Sequence, residues 1–175
     1  MTPLIESFVR HFGEMGSRWG INRTVGQMYA YIVLSEQPVN ADQLASALGI
    51  SRSNVSMGLK ELQGWNLVQL RHLTGDRKDY FTAPQDIWEI ARTLISERRK
   101  REIDPTLTVM RDLLMEKPAN AEERYAQGRI DDMYRLIEMM THWSREMQNL
   151  SPKQLARLLK LGAGISKLLG PGSTR

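Results

Sequence analysis

Residues 39–83 read VNADQLASALGISRSNVSMGLKELQGWNLVQLRHLTGDRKDYFTA, and the order of elements in them decides the fold. The stretch opens on a short helix signal, ADQLASAL. Asn40 stands where an N-cap belongs and Gln43 three residues on, the spacing of a capping box. Leu44, Ala45 and Leu48 line one helical face, and Gly49 follows at the position that favours a left-handed residue. Ser51 is a suitable N-cap for a second helix, RSNVSMGLKELQGW. Two β-prone runs follow, LVQLRHL and KDYFTA, joined through Thr74-Gly75-Asp76-Arg77. Helix, turn, helix and basic hairpin predict a mainly α protein built on a winged helix-turn-helix with a two-stranded β-wing.

Within the second helix Val55, Leu59 and Leu62 fall at i, i+4 and i+7 and face a core. At about 100° per residue, Ser53, Met57, Lys60 and Gly64 fall on the opposite side, with Asn54 and Ser56 on the flanks. This face is small, polar and basic, as a helix entering a major groove requires. Arg52 and Ser53 lie at its N-terminal end, where phosphates and base edges are met. A plain surface helix would share the polar face, but not the capped partner helix, the glycine turn and the hairpin. At the hairpin tip Gly75 and Asp76 tolerate turn angles, Asp76 can fix the arginine or the turn backbone, and Arg77 and Lys78 project toward a minor groove.

The chain has 175 residues, 41% of them apolar and 25% charged, enough to fill a core and too apolar for global disorder. The net charge of +4 permits a nucleic-acid partner without demanding one. Residues 39–83 carry Arg52, Lys60, Arg71, Arg77 and Lys78 against Asp42, Glu61, Asp76 and Asp79, so placement rather than bulk charge must carry binding. There is no cysteine, which excludes disulfides and thiol switches. With no apolar run near the ~20 residues of a membrane span and no signal-like N-terminus, a soluble cytoplasmic protein is expected.

Around the reader the apolar periodicity predicts helices. Residues 3–17 carry Leu4, Ile5, Phe8, Val9, Phe12 and Met15, and residues 24–36 carry Val25, Met28, Tyr29, Ile32 and Val33. After the hairpin, Asp86 and Glu89 form a capping-box signal for a helix with Ile87, Ile90, Ala91, Leu94 and Ile95. Asp104-Pro105 predicts a kink or a fresh start with Asp104 as N-cap. Asn120 and Glu123 cap a long helix striped by Ile130, Met133, Ile137, Met140 and Met147, and Ser151-Pro152 opens the last. The expected organisation is a DNA-binding domain over 1–84, a helical dimerisation and effector extension over 85–170, and a disordered tail over 171–175. Long apolar stripes on outer helices need a cover, and a second copy would also supply two readers spaced for one duplex.

Other chemistry is sparse. His11, His72 and His142 are far apart without ligand partners, so no metal is expected. Gly13, Gly16 and Gly20 lack a preceding strand and read as packing or helix-end glycines rather than a phosphate loop. With no nucleophile–base arrangement, neither enzyme activity nor a cofactor is expected. The run Glu97-Arg98-Arg99-Lys100-Arg101-Glu102 suits a solvated helix face, or less directly a contact to the DNA backbone.

The run from Ala47 to Ala83 resembles the MarR-type winged-helix regulators, and more closely their GbsR branch, the regulators of glycine betaine synthesis and uptake. The carriers are S-x-x-N-V-S-M-x-L-x-E-L, the W-x-L-V after it, the wing G-D-R-K-x-Y-F, the early F-G-x-x-G, and Val25-Gly26-Gln27-Met28-Tyr29. The likeness covers residues 8–105 well and the C-terminal helices loosely. It implies recognition-helix contacts at Ser51, Asn54, Ser56 and Lys60 and a wing-tip arginine at Arg77. It also implies a dimeric regulator, in most members a repressor and in some responsive to choline. Where the branch often has W-G-L-V, this chain has Trp65-Asn66-Leu67-Val68.

Together these features predict a sequence-specific, homodimeric transcriptional regulator of a pseudo-palindromic operator. Its DNA contacts are Ser51, Arg52, Ser53, Asn54, Ser56, Met57, Lys60, Arg77 and Lys78. A quaternary ammonium effector would seek an aromatic cage, for which Trp19, Tyr29, Trp88, Tyr134 and Trp143 are candidates; the alternative is that they are core and interface aromatics. The competing function is a winged-helix protein-interaction module without DNA binding, which would show an apolar anchor on the second helix where only Met57 is ambiguous.

Overall fold

The computed structural model describes residues 1–18 and 20–169. The chain divides into two units, Met1–Glu97 and Arg98–Arg175. The first holds α1 (Pro3–Arg18), α2 (Arg23–Val33), β1 (Val39–Asn40), α3 (Ala41–Leu48), α4 (Arg52–Gly64), β2 (Gln69–His72), β3 (Asp79–Thr82) and α5 (Ile87–Arg98, ending at the boundary). The second holds a π-helical turn (Arg99–Ile103), α6 (Asp104–Met115), α7 (Ala121–Gln148) and α8 (Pro152–Leu169). Among the described residues no helix is long and apolar enough to cross a membrane.

The first unit is a winged helix-turn-helix. Asn40 and Gln43 form the expected capping box: the Gln43 N–H donates to Asn40 Oδ1 at 3.0 Å and the Asn40 N–H to Gln43 Oε1 at 2.8 Å. Gly49 closes α3 in the left-handed region at φ 64°, and Ser51 Oγ accepts from the Asn54 N–H at 3.2 Å to open α4. The helices cover one core built from Val25, Met28, Tyr29, Ile32, Leu44, Val55, Leu59, Leu62 and Phe81, with Ile90 of α5 closing it. Gly58 lets α4 approach α2, since a Cβ there would stand 2.7 Å from Met28 Sδ. Gly26 does the same between α2 and α1, where its missing Cβ would lie 3.3 Å from Gly13 Cα. Gly13 and Gly16 are thus packing glycines of a helix crossing.

The sheet has three strands rather than two, in the order β1-β3-β2, all antiparallel. Val39 pairs with Phe81 and Asn40 with Tyr80, so Asn40 serves both as a strand residue and as a helix cap. A two-residue strand has no alternation to detect, which is why periodicity misses it.

In the second unit the Asp104-Pro105 step departs from expectation. Asp104 is helical (φ −59°, ψ −42°) and caps nothing; the π turn runs directly into α6. The Asp104 N–H donates to Arg99 O, five residues back, and this wider turn accommodates the ring and missing N–H of Pro105 without a break. The Asp104 carboxylate instead accepts from Arg99 at 3.2 Å and faces Arg145 at 3.5 Å. Asn120 caps α7 through the Glu123 N–H at 2.8 Å, and Ser151 with Gln154 caps α8. Trp19 and the tail 171–175 lie outside the described residues.

Candidate nucleic-acid interface

Helix α4 turns Val55, Gly58, Leu59 and Leu62 inward and leaves Ser51, Arg52, Ser53, Asn54, Ser56, Met57 and Lys60 exposed. The division follows the helical period, and the exposed face is polar except for Met57, which is 60% exposed. Ser51 Oγ is engaged in its cap; Asn54, Ser56 and Lys60 project from the first three turns.

The wing is held by its own residues. Asp76 Oδ1 accepts from the Lys78 N–H at 2.9 Å and Oδ2 from the Tyr80 hydroxyl at 2.8 Å, while Gly75 takes φ 86° at the tip. Of the two roles open to Asp76, it fixes the turn backbone. These hydrogen bonds hold its carboxyl below the usual carboxylate range. Arg77 is exposed beside it, with no ion pair among the described residues. All four residues of β2 are exposed, while Phe81 of β3 anchors the hairpin in the core.

One residue connects the two halves of this surface. Asp42, in the first turn of α3, pairs through Oδ1 with Arg52 at the start of α4 and through Oδ2 with Lys78 Nζ of the wing at 3.3 Å. The Lys78 and Arg52 hydrogen bonds hold the Asp42 carboxyl low. Two of the residues expected to meet DNA are thus gathered on one carboxylate that sequence reading counted only as a charge. Its separation from Lys78 in sequence leaves no local pattern to find it by. Asn66 is a second residue whose role emerges here. It takes the left-handed region at φ 53°, which accounts for a glycine at this place in the resembling branch, and its amide donates to Glu97 Oε1 at 3.1 Å.

Of the proposed effector aromatics, Trp19 lies outside the described residues, and the others divide between the two units. Tyr29 is buried in the reader core, 6.3 Å from Phe12 by ring centroids, and its hydroxyl has no hydrogen-bond partner among the described residues; burial pushes its pKa well up. Trp88 is exposed at the start of α5. Tyr134 and Trp143 both lie on α7, but nine residues at about 100° each set them on opposite sides of it. Arg111 covers the Tyr134 ring at 5.7 Å and donates to its hydroxyl at 3.0 Å. Beside them α6 and α7 enclose a groove of ≈ 440 Å³ lined by Leu107, Arg111, Arg135, Glu138, His142 and Arg145 among others.

Fold and surface first define a class, a winged helix-turn-helix reader with a helical extension. Residues 13–79 match the MarR family. The chain is 21% identical over 138 residues to YvaV of Bacillus subtilis (strain 168), provisionally assigned as an HTH-type transcriptional regulator, covering 79% of this chain and 78% of YvaV. It is 27% identical over 94 residues to the HTH-type transcriptional repressor GbsR of the same organism, covering 54% of this chain and 52% of GbsR. A solved structure described as a transcriptional regulator superposes with TM-score 0.65, covering 90% of this chain and 99% of its own at 20% identity, a likeness of fold.

Proposed function

We propose that this protein is a sequence-specific DNA-binding transcriptional regulator, a homodimeric repressor that docks α4 in the major groove and the wing alongside. The observation that carries this is the exposed polar face of α4 joined to the wing through Asp42, with Arg52, Lys60, Arg77 and Lys78 all at the surface. The MarR family match and the repressor GbsR support the same reading. No apolar anchor larger than Met57 stands on α4 for the competing role of a protein-interaction module.

Dimerisation is supported by the second unit. Met133, Leu136, Met140, Trp143 and Met147 recur on α7 at alternating spacings of three and four, a seam suited to a partner helix. The first four are between 45% and 60% exposed. A dimer would present two readers to two half-sites.

For the effector two chemistries compete. The resemblance favours a quaternary ammonium. The arginines of the α6–α7 groove favour a carboxylate or phosphate instead, since Arg111 already holds the Tyr134 ring.

Selection of bound duplexes from a random pool, with sedimentation to obtain the mass, tests the function. A two-fold-related site bound by a dimer, with affinity falling steeply as salt rises, is expected. A monomer that ignores DNA at low salt overturns it. Calorimetric titration of choline and of a small carboxylate into dimer and complex separates the effector readings, because a regulator must bind the two states unequally.

A further inference from the structure

We propose that Asp42 is a specificity-setting residue of the reader: it tethers Arg52 and Lys78 so that neither is free to seize phosphates on duplexes of the wrong sequence. The inference rests on the DNA-binding reading above and adds a residue that opposes binding to random DNA.

The geometry is specific. Each Asp42 oxygen holds a different element, Oδ1 the first residue of α4 and Oδ2 the wing residue just before β3. The three side chains are solvent-accessible, at 39% for Asp42, 71% for Arg52 and 54% for Lys78, so this is a surface network rather than a buried clamp. Pairs this exposed contribute little to folding stability. Their leverage is on the partner. Phosphate attraction is independent of sequence and grows with every cation free to reach a backbone. A carboxylate between two such cations lowers the local charge and itself repels phosphate. Arg52 has five N–H donors and Lys78 three, so each can keep Asp42 and also meet a phosphate, but only one presented near its tethered position. That condition depends on how deeply α4 and the wing are seated, which depends on the bases. The tether thus weakens the sequence-independent part of binding more than the seated complex.

An ordinary role exists beside this one. An acid in the first turn of α3 complements the helix dipole. Any effect of that kind appears in the melting temperature and acts alike on all duplexes.

The test compares wild type with Asp42→Asn, which keeps the shape and removes the charge, and Asp42→Glu, which keeps the charge. Binding is measured to a random-sequence 30-base-pair duplex and to the duplex recovered by selection, at several salt concentrations. The expected result is that Asp42→Asn binds the random duplex about tenfold tighter. Its log–log salt slope should steepen by about 0.9 for each cation released. It should gain less on the selected duplex, so discrimination falls. Asp42→Glu should stay near wild type, and Lys78→Gln added to Asp42→Asn should reverse part of the gain. Unchanged or weaker random binding by a folded Asp42→Asn, or equal gains on both duplexes, overturns the proposal. If wild type and variant both fail to bind any duplex at low salt, the DNA-binding reading fails, and this inference falls with it.

Discussion

The two units of this chain solve the problem of burial differently. The reader encloses its own core: Met28, Leu44 and Val55 are fully buried, and buried apolar side chains come from α1, α2, α3, α4, α5 and the sheet. In the second unit Leu107 is the single buried apolar side chain among the described residues, while Val109, Met115, Tyr125, Leu136, Met139, Met140, Trp143 and Leu161 are each more than half exposed. The difference teaches that one unit is stabilised by contacts within the chain, whereas the other carries apolar surface that only another surface can cover. In the proposed dimer that open surface is what would join two readers.

The sharpest test of this contrast is Leu44→Ala. It should cost the reader about 2–5 kcal/mol in a denaturant titration, as for a fully buried leucine. Met140→Glu should leave the reader's fold intact, yet weaken self-association by at least about 2 kcal/mol, roughly thirtyfold in dissociation constant by sedimentation, because a charge would enter the seam. If Met140→Glu unfolds the monomer instead, the extension has a core of its own and the comparison breaks. Arg77→Ala should weaken DNA binding by about 1–3 kcal/mol with no change in melting temperature, as for a good groove contact. Asn40→Ala should destabilise the reader by about 1 kcal/mol through the capping box.

The smallest effect is a pH dependence of the reader's surface. Asp42 is held below the ordinary carboxylate value by hydrogen bonds from Lys78 and Arg52, and Asp76 by hydrogen bonds within the wing. A depressed native value means their stabilisation is fully present above the ordinary aspartate value of about 4, and is lost as pH falls through the lower native values. The Lys78 amide resonance, whose N–H donates to Asp76, should therefore titrate with a midpoint below about 4. A midpoint at or above it would show that the wing is not held as described.

The reader was legible because its signals are local. Caps at Asn40 and Ser51 bond to groups three residues away, and the faces of α4 follow from the helical period. The extension was legible only in part. Periodicity identifies Ile130 and Ile137 on α7, which are half-buried, but groups them with Met133 and Met140, which are exposed. An amphipathic pattern reports that a face is apolar, without reporting whether the same chain covers it. At Asp104-Pro105 the residue types suit a new helix start equally well, and the π turn prevails because one i to i+5 bond lets the helix continue.

The sequence by itself determined the order of elements, the capped ends of the helices, the polar face of α4 and the glycine turn of the wing. Each depends on groups within a few residues of one another and on backbone geometry that every chain shares. Only the tertiary structure decided that Asp42 joins Arg52 to Lys78, that Asn66 reaches Glu97, that Tyr29 is core, and that α7 leaves one apolar face open. Those outcomes depend on which faces meet in space, because an ion pair or a buried ring is made by distance and not by position along the chain.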